Sequence, residues 1–517
     1  VAADVNLVQA AAEAGIEVPT YCYHPGLSVV GQCRICFVEV EGMPRLVTAC
    51  STPVQPEMKV HTDTDRVIEA RAAVMEFLLE NHPLDCPVCD QAGECGLQDY
   101  SVEHGLDTTH MVDKRRTYPG FERRKIGPHV VQNQNRCIHC TRCIRFTHEI
   151  AETGDLTMKS RGNHSYIDTF DGQPLDNPWS ACVADVCPVG ALTVEEFRFR
   201  ARVWHLEETE SICPGCSIGC NVLLGHLDAT VHRFVPRENV DVNGWWMCDY
   251  GRFLADGLNR RDIDRPLLRT ESGEQRVTWQ AAISEVASWL LRESKPLVLA
   301  SADFSNETLY AIRRHLVDRH QLEVVVPVFA GEVRSIKNGH GEWISSVDSH
   351  SNSTGARRLG LNTVDVSAID SLVSDHTGRV LVLDAHAAPW LMSDAARDLV
   401  AGRSVAVLAR YHTPLVDAAS IVLPLASWAE TEGTYTSSTG RVQFAARALP
   451  PRGQARPAWS VVNHLAFELG EAEEPETSPR ALFTEMAASM PAFAGMTWRR
   501  LATEGSMPIH EEVRRVD

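Results

Sequence analysis

The chain has 517 residues, of which 44% are hydrophobic and 23% are charged, and its formal net charge is −19. This length exceeds that of one ordinary core and indicates about three to five domains. The acidic balance argues against a nucleic-acid partner, because phosphates require a basic surface. No apolar run approaches the ~18–20 residues that a membrane span needs, so we expect membrane attachment only through partners.

The chain opens without Met, without a visible signal peptide and already inside a folded pattern. We therefore expect an initial segment to precede Val1. A helix is predicted over Asp4–Gly15, where Val5 and Val8 recur at helical spacing and the glycine ends the run.

Cysteines are confined to the first half. All 16 lie between Cys22 and Cys248, and the last 269 residues have none. Cys-x-x-Cys pairs in a large chain favour metal in a reducing compartment over disulfides. Fifteen of the cysteines, with one histidine, form four sets: Cys22, Cys33, Cys36, Cys50; His82, Cys86, Cys89, Cys95; Cys137, Cys140, Cys143, Cys187; and Cys213, Cys216, Cys220, Cys248. We interpret these sets as four iron–sulfur sites.

The first set lies in a predicted small β-rich domain. The segment Cys33–Cys50 alternates like a hairpin with its turn at Glu41 and Gly42. Three thiols on one loop and a fourth at a later strand end suit a plant-type 2Fe–2S cluster. A zinc site is the alternative, although zinc usually takes two compact cysteine pairs.

The stretch PTYCYHPGLSVVGQCRIC, Pro19–Cys36, resembles the first signature of the NuoG-type subunit of respiratory complex I, the NADH:quinone oxidoreductase. Ferredoxin-like domains of NAD-linked hydrogenases and formate dehydrogenases share this signature. The resemblance implies a β-grasp ferredoxin fold that holds a 2Fe–2S cluster on the first set.

The second set follows a predicted amphipathic helix over residues 66–81, whose apolar face comprises Val67, Ala70, Val74 and Leu78. A lone histidine beside cysteines is more often a surface residue than a ligand. The spacing His-x3-Cys-x2-Cys-x5-Cys resembles the NuoG-type pattern, which implies a 4Fe–4S cluster with His82 as a ligand. Ala92 and Gly96 depart from the family's usual Gly and Asp, at positions that are not ligands.

The third set begins in RCIHCTRCIRF. Cys-x2-Cys-x2-Cys is typical of a ferredoxin 4Fe–4S cluster, whose fourth ligand comes from a distant Cys-Pro. Cys187 before Pro188 fits that role, and Cys182 is the alternative. If Cys182 is not a ligand, we expect a small buried hydrophobic residue. His139 and His148 are interpreted as packing or solvated residues.

The fourth set lies in ICPGCSIGCNV and CDYGRF. Its spacing, Cys-x2-Cys-x3-Cys-x27-Cys, resembles the N-terminal 4Fe–4S domain of molybdopterin oxidoreductases, and some bacterial NuoG-type subunits keep it. Zinc is again the alternative.

From about Arg265 the sequence resembles the large molybdopterin-type domain, and the segment 429–443 resembles that superfamily's pterin-side loop. Apolar runs alternate there with helical stretches, which predicts buried parallel strands of an α/β fold. The predicted strands are 296–301, 322–328, 379–385, 404–410 and 420–426.

We expect this half to have lost its cofactor. No cysteine follows Cys248 to ligate a metal, although a Ser or Asp ligand stays open. The region is shorter than the family's catalytic domain, and Ser437 and Thr439 stand where the superfamily loop usually has Asn and Glu. No Gly-rich fingerprint between a strand and a helix suggests a flavin or NAD site.

The expected fold is multidomain α+β. The domains are a 2Fe–2S ferredoxin-like β-grasp domain (1–64), a one-His/three-Cys 4Fe–4S module (65–105), a 4Fe–4S ferredoxin-like module (106–204), a 4Fe–4S Mo/W-oxidoreductase-type N-terminal domain (205–262) and a truncated, degenerate α/β molybdopterin-oxidoreductase-like domain (263–517).

The resemblance implies an electron-transfer subunit of an oxidoreductase and translocase, with no catalytic residue of its own. It implies one 2Fe–2S and three 4Fe–4S clusters, no molybdopterin and no flavin. Implied partners are a NuoF-type flavin subunit, NuoE-type and NuoI-type iron–sulfur subunits and other peripheral-arm subunits, on the cytoplasmic side of the bacterial inner membrane. Electrons would enter at the first set, pass to the third and leave from the second toward quinone, with the fourth set structural.

Three alternatives stay open. The first is the cluster-bearing subunit of an NAD-coupled soluble hydrogenase or formate dehydrogenase, which shares the first three signatures. The second is a small molybdopterin oxidoreductase with its own substrate chemistry. The third is an interaction scaffold held together by zinc.

Overall fold

The structure, a computed structural model, describes residues 5–260, 262–292, 296–365, 367–376, 378–384, 404–471 and 478–509. The chain divides into two compact units, Val1–Leu206 and Glu207–Asp517, and each is described by itself. Asp4 and Ala385, at the ends of two predicted elements, lie outside the described residues.

The first unit begins with the helix Leu7–Glu13, which is shorter than predicted. Asn6 ends the preceding extended segment, and its side-chain oxygen accepts hydrogen bonds from the amides of Val8 and Gln9. This capping fixes where the helix begins. Gly15 follows the helix with φ +74°, a conformation that favours glycine.

The predicted hairpin is confirmed. Strand Phe37–Val40 pairs antiparallel with Val47–Thr48 on one side and with Val60–His61 on the other. Gly42 supplies the left-handed turn residue at φ +84°. Apolar side chains on the inner face of this sheet pack against the helix Leu7–Glu13.

The predicted long helix spans Asp65–Glu80 and begins after Thr64, whose hydroxyl accepts a hydrogen bond from an amide of the first turn. Its buried residues differ from the predicted face: Val67 is buried as expected, but Arg71 and Met75 are buried with it. The difference arises because the Arg71 guanidinium donates to a backbone carbonyl of the first sheet, at 3.2 Å. A polar residue therefore lies on the inner face, which a purely apolar pattern does not reveal.

Shorter elements complete the first unit. Its other helices are Gly96–His104, Arg142–Arg145, the π-helical turn Phe146–Ile150 and Cys182–Asp185. An antiparallel sheet joins Arg124–Lys125, Val130–Gln132 and Leu192–Val194. A separate antiparallel pair joins Leu156–Lys159 and Tyr166–Thr169.

The second unit opens with an antiparallel sheet in the spatial order Thr230–Pro236, Asn221–Leu227, Glu207–Ile212. Two short helices follow, Asp249–Arg252 and Ala255–Asn259.

A large mixed sheet forms the centre of the second unit. The five predicted strands are confirmed and run parallel, as Leu297–Ala300, Glu323–Val328, Val380–Leu383, Val405–Ala409 and Ile421–Pro424. The spatial order of the eight strands is Gly273–Arg276, Leu267–Thr270, Ile421–Pro424, Val405–Ala409, Val380–Leu383, Leu297–Ala300, Glu323–Val328, Asn362–Asp365. The strand order reverses between Leu297–Ala300 and Val380–Leu383, because the chain first builds one half of the sheet and then the other.

Apolar clusters cover both faces of this sheet, which is why its strands are continuously hydrophobic. The helices of the unit are Trp279–Arg292, Asn306–Ala311 with its π-helical continuation Ile312–Arg319, Ser353–Arg358, Ser367–Asp375, Pro414–Ala418, Ala458–Glu468, Pro479–Ser489 and Trp498–Glu504.

Two smaller sheets complete the second unit. One is the hairpin of Ala330–Lys337 with Trp343–Asp348, and the other joins Gly433–Thr436, Arg441–Ala445 and Ser506–Pro508. Among the described residues, no helix has the length and apolar character to cross a bilayer.

Phe483 offers a test of the core of the second unit. Its side chain is fully buried on the helix Pro479–Ser489, whereas Phe467 on another helix of the same unit is 47% exposed. We expect Phe483→Ala to lower the free energy of unfolding by about 3–5 kcal/mol, because it leaves a cavity. The matched Phe467→Ala should cost under about 1 kcal/mol.

Native-state hydrogen exchange of the sheet amides measures both free energies in the full chain. Equal losses of protection in the two variants would contradict the packing of Phe483.

Candidate metal-cluster sites

All sixteen cysteines are free thiols, and twelve of them are buried. Burial raises the pKa of the Cys143 and Cys187 thiols, because a thiolate loses its hydration there. A bound metal ion compensates that cost by neutralising the thiolate. In the described parts of the chain no three His, Cys, Asp or Glu side chains are close enough to hold a single metal ion.

The first set forms two thiol pairs. The Sγ atoms of Cys36 and Cys50 are 3.4 Å apart. The amides of Cys22 and Cys33 each donate to the other's Sγ, at 3.5 and 3.4 Å. The hydrogen bond from the Cys33 thiol lowers the pKa of Cys22 to about 5. In each pair the hydrogen bond between the two thiols lowers the pKa of one thiol and raises that of the other, so each pair stabilises one thiolate.

Left-handed residues shape the loop that carries the first set. Gly31 has φ +57°, and Arg34, which lies between the ligand candidates Cys33 and Cys36, has φ +66°. Arginine rarely adopts this conformation, so surrounding contacts must hold it there.

His82 follows directly on the long helix, one residue beyond its C-cap Asn81. Its Nδ1 is buried and finds no hydrogen-bond partner among the described residues. Burial first, and the nearby Arg136 second, lower the pKa of His82 to about 4. The imidazole is therefore neutral at physiological pH, with a lone pair that suits a metal ion.

The three thiols of the second set differ in exposure. Cys86 is exposed, whereas Cys89 and Cys95 are buried. Cys95 is the N-cap residue of the helix Gly96–His104. The sequence predicts one histidine and three thiols as donors here, and the histidine Nδ1 has no partner among the residues that the structure describes.

The loop after Cys187 lies against the second set. The Cys95 Sγ is 3.8 Å from the carbonyl oxygen of Pro188. A Cβ atom at Gly190 would come within 2.2 Å of the Cys89 Sγ, so only glycine leaves room for that thiol. One short loop therefore carries a ligand candidate of the third set and also contacts the second.

The third set lines one cavity, with all four ligand candidates on its wall: Cys137, Cys140, Cys143 and Cys187. Cys182 is not among the residues that line it and is fully buried at the start of the helix Cys182–Asp185. This placement supports Cys187 over Cys182. His139 donates a ring hydrogen bond to the Ser165 carbonyl at 2.9 Å, which fits the predicted packing role.

The fourth set lines a second cavity, with Cys213, Cys216, Cys220 and Cys248 on its wall. Here too a glycine leaves room beside a thiol, since a Cβ atom at Gly251 would lie 2.4 Å from the Cys213 Sγ. The amide of Gly215 donates to the same Sγ, at 3.4 Å. The hairpin strand Ala330–Lys337 closes one side of the cavity with Ser335 and Ile336.

Arg334 adds a charge that the sequence did not point to. Its guanidinium carbon lies 3.6 Å from the centre of the Tyr250 ring, and Tyr250 lines the fourth cavity. Its buried Nη1 finds no hydrogen-bond partner in the described ranges. A desolvated cation at this place favours negative charge in the cavity. No motif near Arg334 could have identified it, because it is distant in sequence from every ligand candidate.

Sequence reasoning also missed Arg142 and Arg145. Both flank Cys143 in RCIRF, so their position in the motif was a signal that could have found them. Arg145 is 7% exposed, a burial that arginine reaches only with hydrogen-bonding partners.

The four donor sets therefore fit iron–sulfur clusters in donor chemistry, in burial and in the space left by Gly190 and Gly251. The individual ligand assignments stay predictions.

Five family models match the chain. They are "2Fe-2S iron-sulfur cluster binding domain" over residues 1–65, "NADH-ubiquinone oxidoreductase-G iron-sulfur binding region" over 71–110, "NADH-quinone oxidoreductase subunit 3, ferredoxin-like domain" over 127–193, "Molybdopterin oxidoreductase Fe4S4 domain" over 206–260 and "Molybdopterin oxidoreductase" over 336–468. The predicted multidomain α+β fold class is confirmed.

Two solved structures are similar in part. An NAD+-reducing [NiFe]-hydrogenase in the H2-reduced state is 30% identical, covers 38% of this chain and 84% of its own, and has a TM-score of 0.34. The acetylene hydratase from Pelobacter acetylenicus is 10% identical, covers 58% of this chain and 74% of its own, and has a TM-score of 0.40.

Curated relatives are more similar in sequence. The mitochondrial NADH-ubiquinone oxidoreductase 78 kDa subunit of Candida albicans is 42% identical over 320 residues, 61% of this chain and 43% of the relative. The NADH-ubiquinone oxidoreductase 75 kDa subunit of Reclinomonas americana is 44% identical over 279 residues, 54% of this chain and 40% of the relative. The chain thus matches less than half the length of each. Over more than half of its own length, the chain is similar to the 75 and 78 kDa subunits of NADH-ubiquinone oxidoreductases.

Proposed function

We propose that this chain is the electron-transfer subunit of a respiratory complex I. It carries electrons from a flavin-bearing, NADH-oxidising partner toward a ferredoxin-like partner and quinone, and it has no substrate chemistry of its own. Bound iron–sulfur clusters supply one-electron redox chemistry at the four sets. The residues of the chain hold those groups, shield them from water and set their electrostatic surroundings.

The observation that carries this proposal is the contiguity of three donor sets within the first unit. Arg145 contacts the backbone of Cys22 in the first set and of Cys140 in the third. The loop that begins at Cys187 in the third set reaches Cys89 in the second. This spatial order of first, third and second supports the order that we propose for electron transfer.

The surroundings of Cys86 support an exit at the second set. Cys86 is the exposed thiol of that set, and the neighbouring Leu84 and Val88 are 78% and 62% exposed. An apolar surface beside an accessible donor group suits docking of a second protein. We propose that the NuoI-type partner binds here. We propose that NuoF-type and NuoE-type partners serve the entry side, and that the assembly places the chain on the cytoplasmic face of the bacterial inner membrane.

The second unit keeps the fold of a molybdopterin-type domain, and we propose that it holds no molybdopterin. In parallel sheets, ligands bind beyond the carboxyl ends of the strands where the order reverses. Beyond the strand Leu297–Ala300 the buried polar groups bind one another instead. Asn352 donates to Asn306 at 3.0 Å, Asn306 donates to Thr434 at 3.1 Å, and Thr434 donates to Glu307 at 2.6 Å.

In the segment 429–443, which resembles the pterin-side loop, polar side chains also form hydrogen bonds with one another. Ser437 and Thr439 share a hydroxyl hydrogen bond of 2.9 Å in the turn between two strands. The fourth set would then hold a cluster with a structural role, close to the hairpin that covers its cavity.

Elemental analysis tests the cofactor content. One 2Fe–2S and three 4Fe–4S clusters require about 14 iron atoms per chain. We expect about 14 iron atoms, matching acid-labile sulfide, and no molybdenum or tungsten in protein purified without oxygen. Stoichiometric zinc without iron would contradict the proposal. Stoichiometric molybdenum would instead favour the alternative of a small molybdopterin oxidoreductase with its own substrate chemistry.

Exchange of the histidine tests the second set. His82→Cys replaces a neutral imidazole by a thiolate and adds about one negative charge to the site. In EPR-monitored redox titrations, we expect the signal of the second-set cluster to titrate at a more negative potential than in the wild type. The reason is that added negative charge disfavours reduction. The control His164→Cys, at an exposed position of the same unit, should leave every potential unchanged. An unshifted potential in His82→Cys would rule out His82 as a ligand.

A further inference from the structure

Arg145 connects two donor sets that are far apart in sequence. Its Nη2 donates to the carbonyl of Cys22 at 2.5 Å and to the carbonyl of Cys140 at 3.4 Å. Its Nη1 donates to the carbonyl of Ser28, also at 2.5 Å. A single guanidinium nitrogen therefore contacts the backbone of a ligand candidate in the first set and of another in the third.

Further contacts fasten the same two loops. Arg142, one turn earlier on the same helix, donates to the carbonyl of Tyr23. Glu149 accepts hydrogen bonds from the amide and the hydroxyl of Ser28, at 2.8 and 2.5 Å. On the opposite edge, the Gln32 side chain donates to the carbonyl of His139 at 2.8 Å. The backbone that carries the first set is thus held at several points by the segment that carries the third.

The partners of the two arginines are unusual for buried cations. A buried guanidinium is costly unless carboxylates or other anions compensate its charge. In the described parts of the chain, neither Arg142 nor Arg145 forms an ion pair, and both bind neutral carbonyls instead. Both arginines face donor thiols, since the positive charge of Arg145 acts to lower the pKa of the Cys22 and Cys140 thiols. Negative charge at the two cluster sites would therefore compensate part of the charge of the arginines.

We propose that Arg145 is a positioning residue shared by the first and third sets. It fixes the separation of the two ligand loops, and its positive charge lowers the free energy of negative charge at both sites. This inference rests on the proposed electron-transfer function and adds to it the element that couples the first two sites. Lysine at this position would keep the charge but lose the planar guanidinium, whose two terminal nitrogens bind three carbonyls at once.

Three variants in the full chain separate these roles. Arg145→Gln removes the charge and the fork, Arg145→Lys removes the fork alone, and Arg45→Gln removes one charge from an exposed position of the same unit. The readouts are iron content, the potentials of the 2Fe–2S and third-set signals in EPR-monitored titrations, and amide hydrogen exchange of the segment Cys22–Ser28. Arg45→Gln should match the wild type in all three.

We expect Arg145→Gln to bind iron as the wild type does and to shift both signals to more negative potentials. A tenfold weaker preference for the reduced state corresponds to about 59 mV for one electron. Arg145→Lys should keep both potentials near those of the wild type. In both variants the amides of Cys22–Ser28 should exchange faster, because the loop has lost the hydrogen bonds from the guanidinium of Arg145.

Other outcomes overturn one proposal or the other. The shared role of Arg145 would be overturned if Arg145→Gln shifted the potential of only one of the two signals. It would also be overturned if Arg145→Gln bound its full iron content and changed neither the potentials nor the amide exchange. Wild-type protein that binds no iron and shows no iron–sulfur EPR signal would instead overturn the proposed function.

Discussion

The burial of thiol groups is the constraint on which this structure depends. A thiolate loses its hydration inside a protein, so each buried donor set needs compensating charge or hydrogen bonds. The chain supplies backbone amides, as at Cys213 from Gly215, and guanidinium groups, as at Arg145 and Arg334. Metal ions supply the rest of the compensation when clusters are bound. The loops around the sets are accordingly rich in glycine and in left-handed residues, because backbone must approach the thiols closely.

The same constraint explains why the first unit is compact although its sheets are small. Its strands are two to four residues long and could not form a stable core alone. Contacts at the donor sets, such as Arg145 with Cys22 and the Cys187 loop with Cys89, connect its modules. Positions that serve the clusters therefore also serve the fold.

The second unit follows a different principle. Its parallel sheet is buried on both faces and is stabilised by ordinary apolar packing. Such a core does not depend on a bound ligand. Polar side chains beyond the strand Leu297–Ala300 are also buried, and burial raises the pKa of Glu307 to about 7. The hydrogen bonds from Thr434 offset part of this rise.

The sequence by itself predicted the donor sets, and it determined the hairpin of the first sheet and the five parallel strands. Each of these follows from residue type and spacing within a short segment, and spacing along the chain survives folding. The tertiary structure alone decided which helix face is buried, where Arg71 and Met75 replaced part of the apolar face, and which sets are neighbours. The pairing of Arg145 with Cys22 spans 123 residues, and no local pattern encodes a contact over that separation. Arg334 beside Tyr250 arises in the same way, because long-range packing brings a hairpin against a ligand loop.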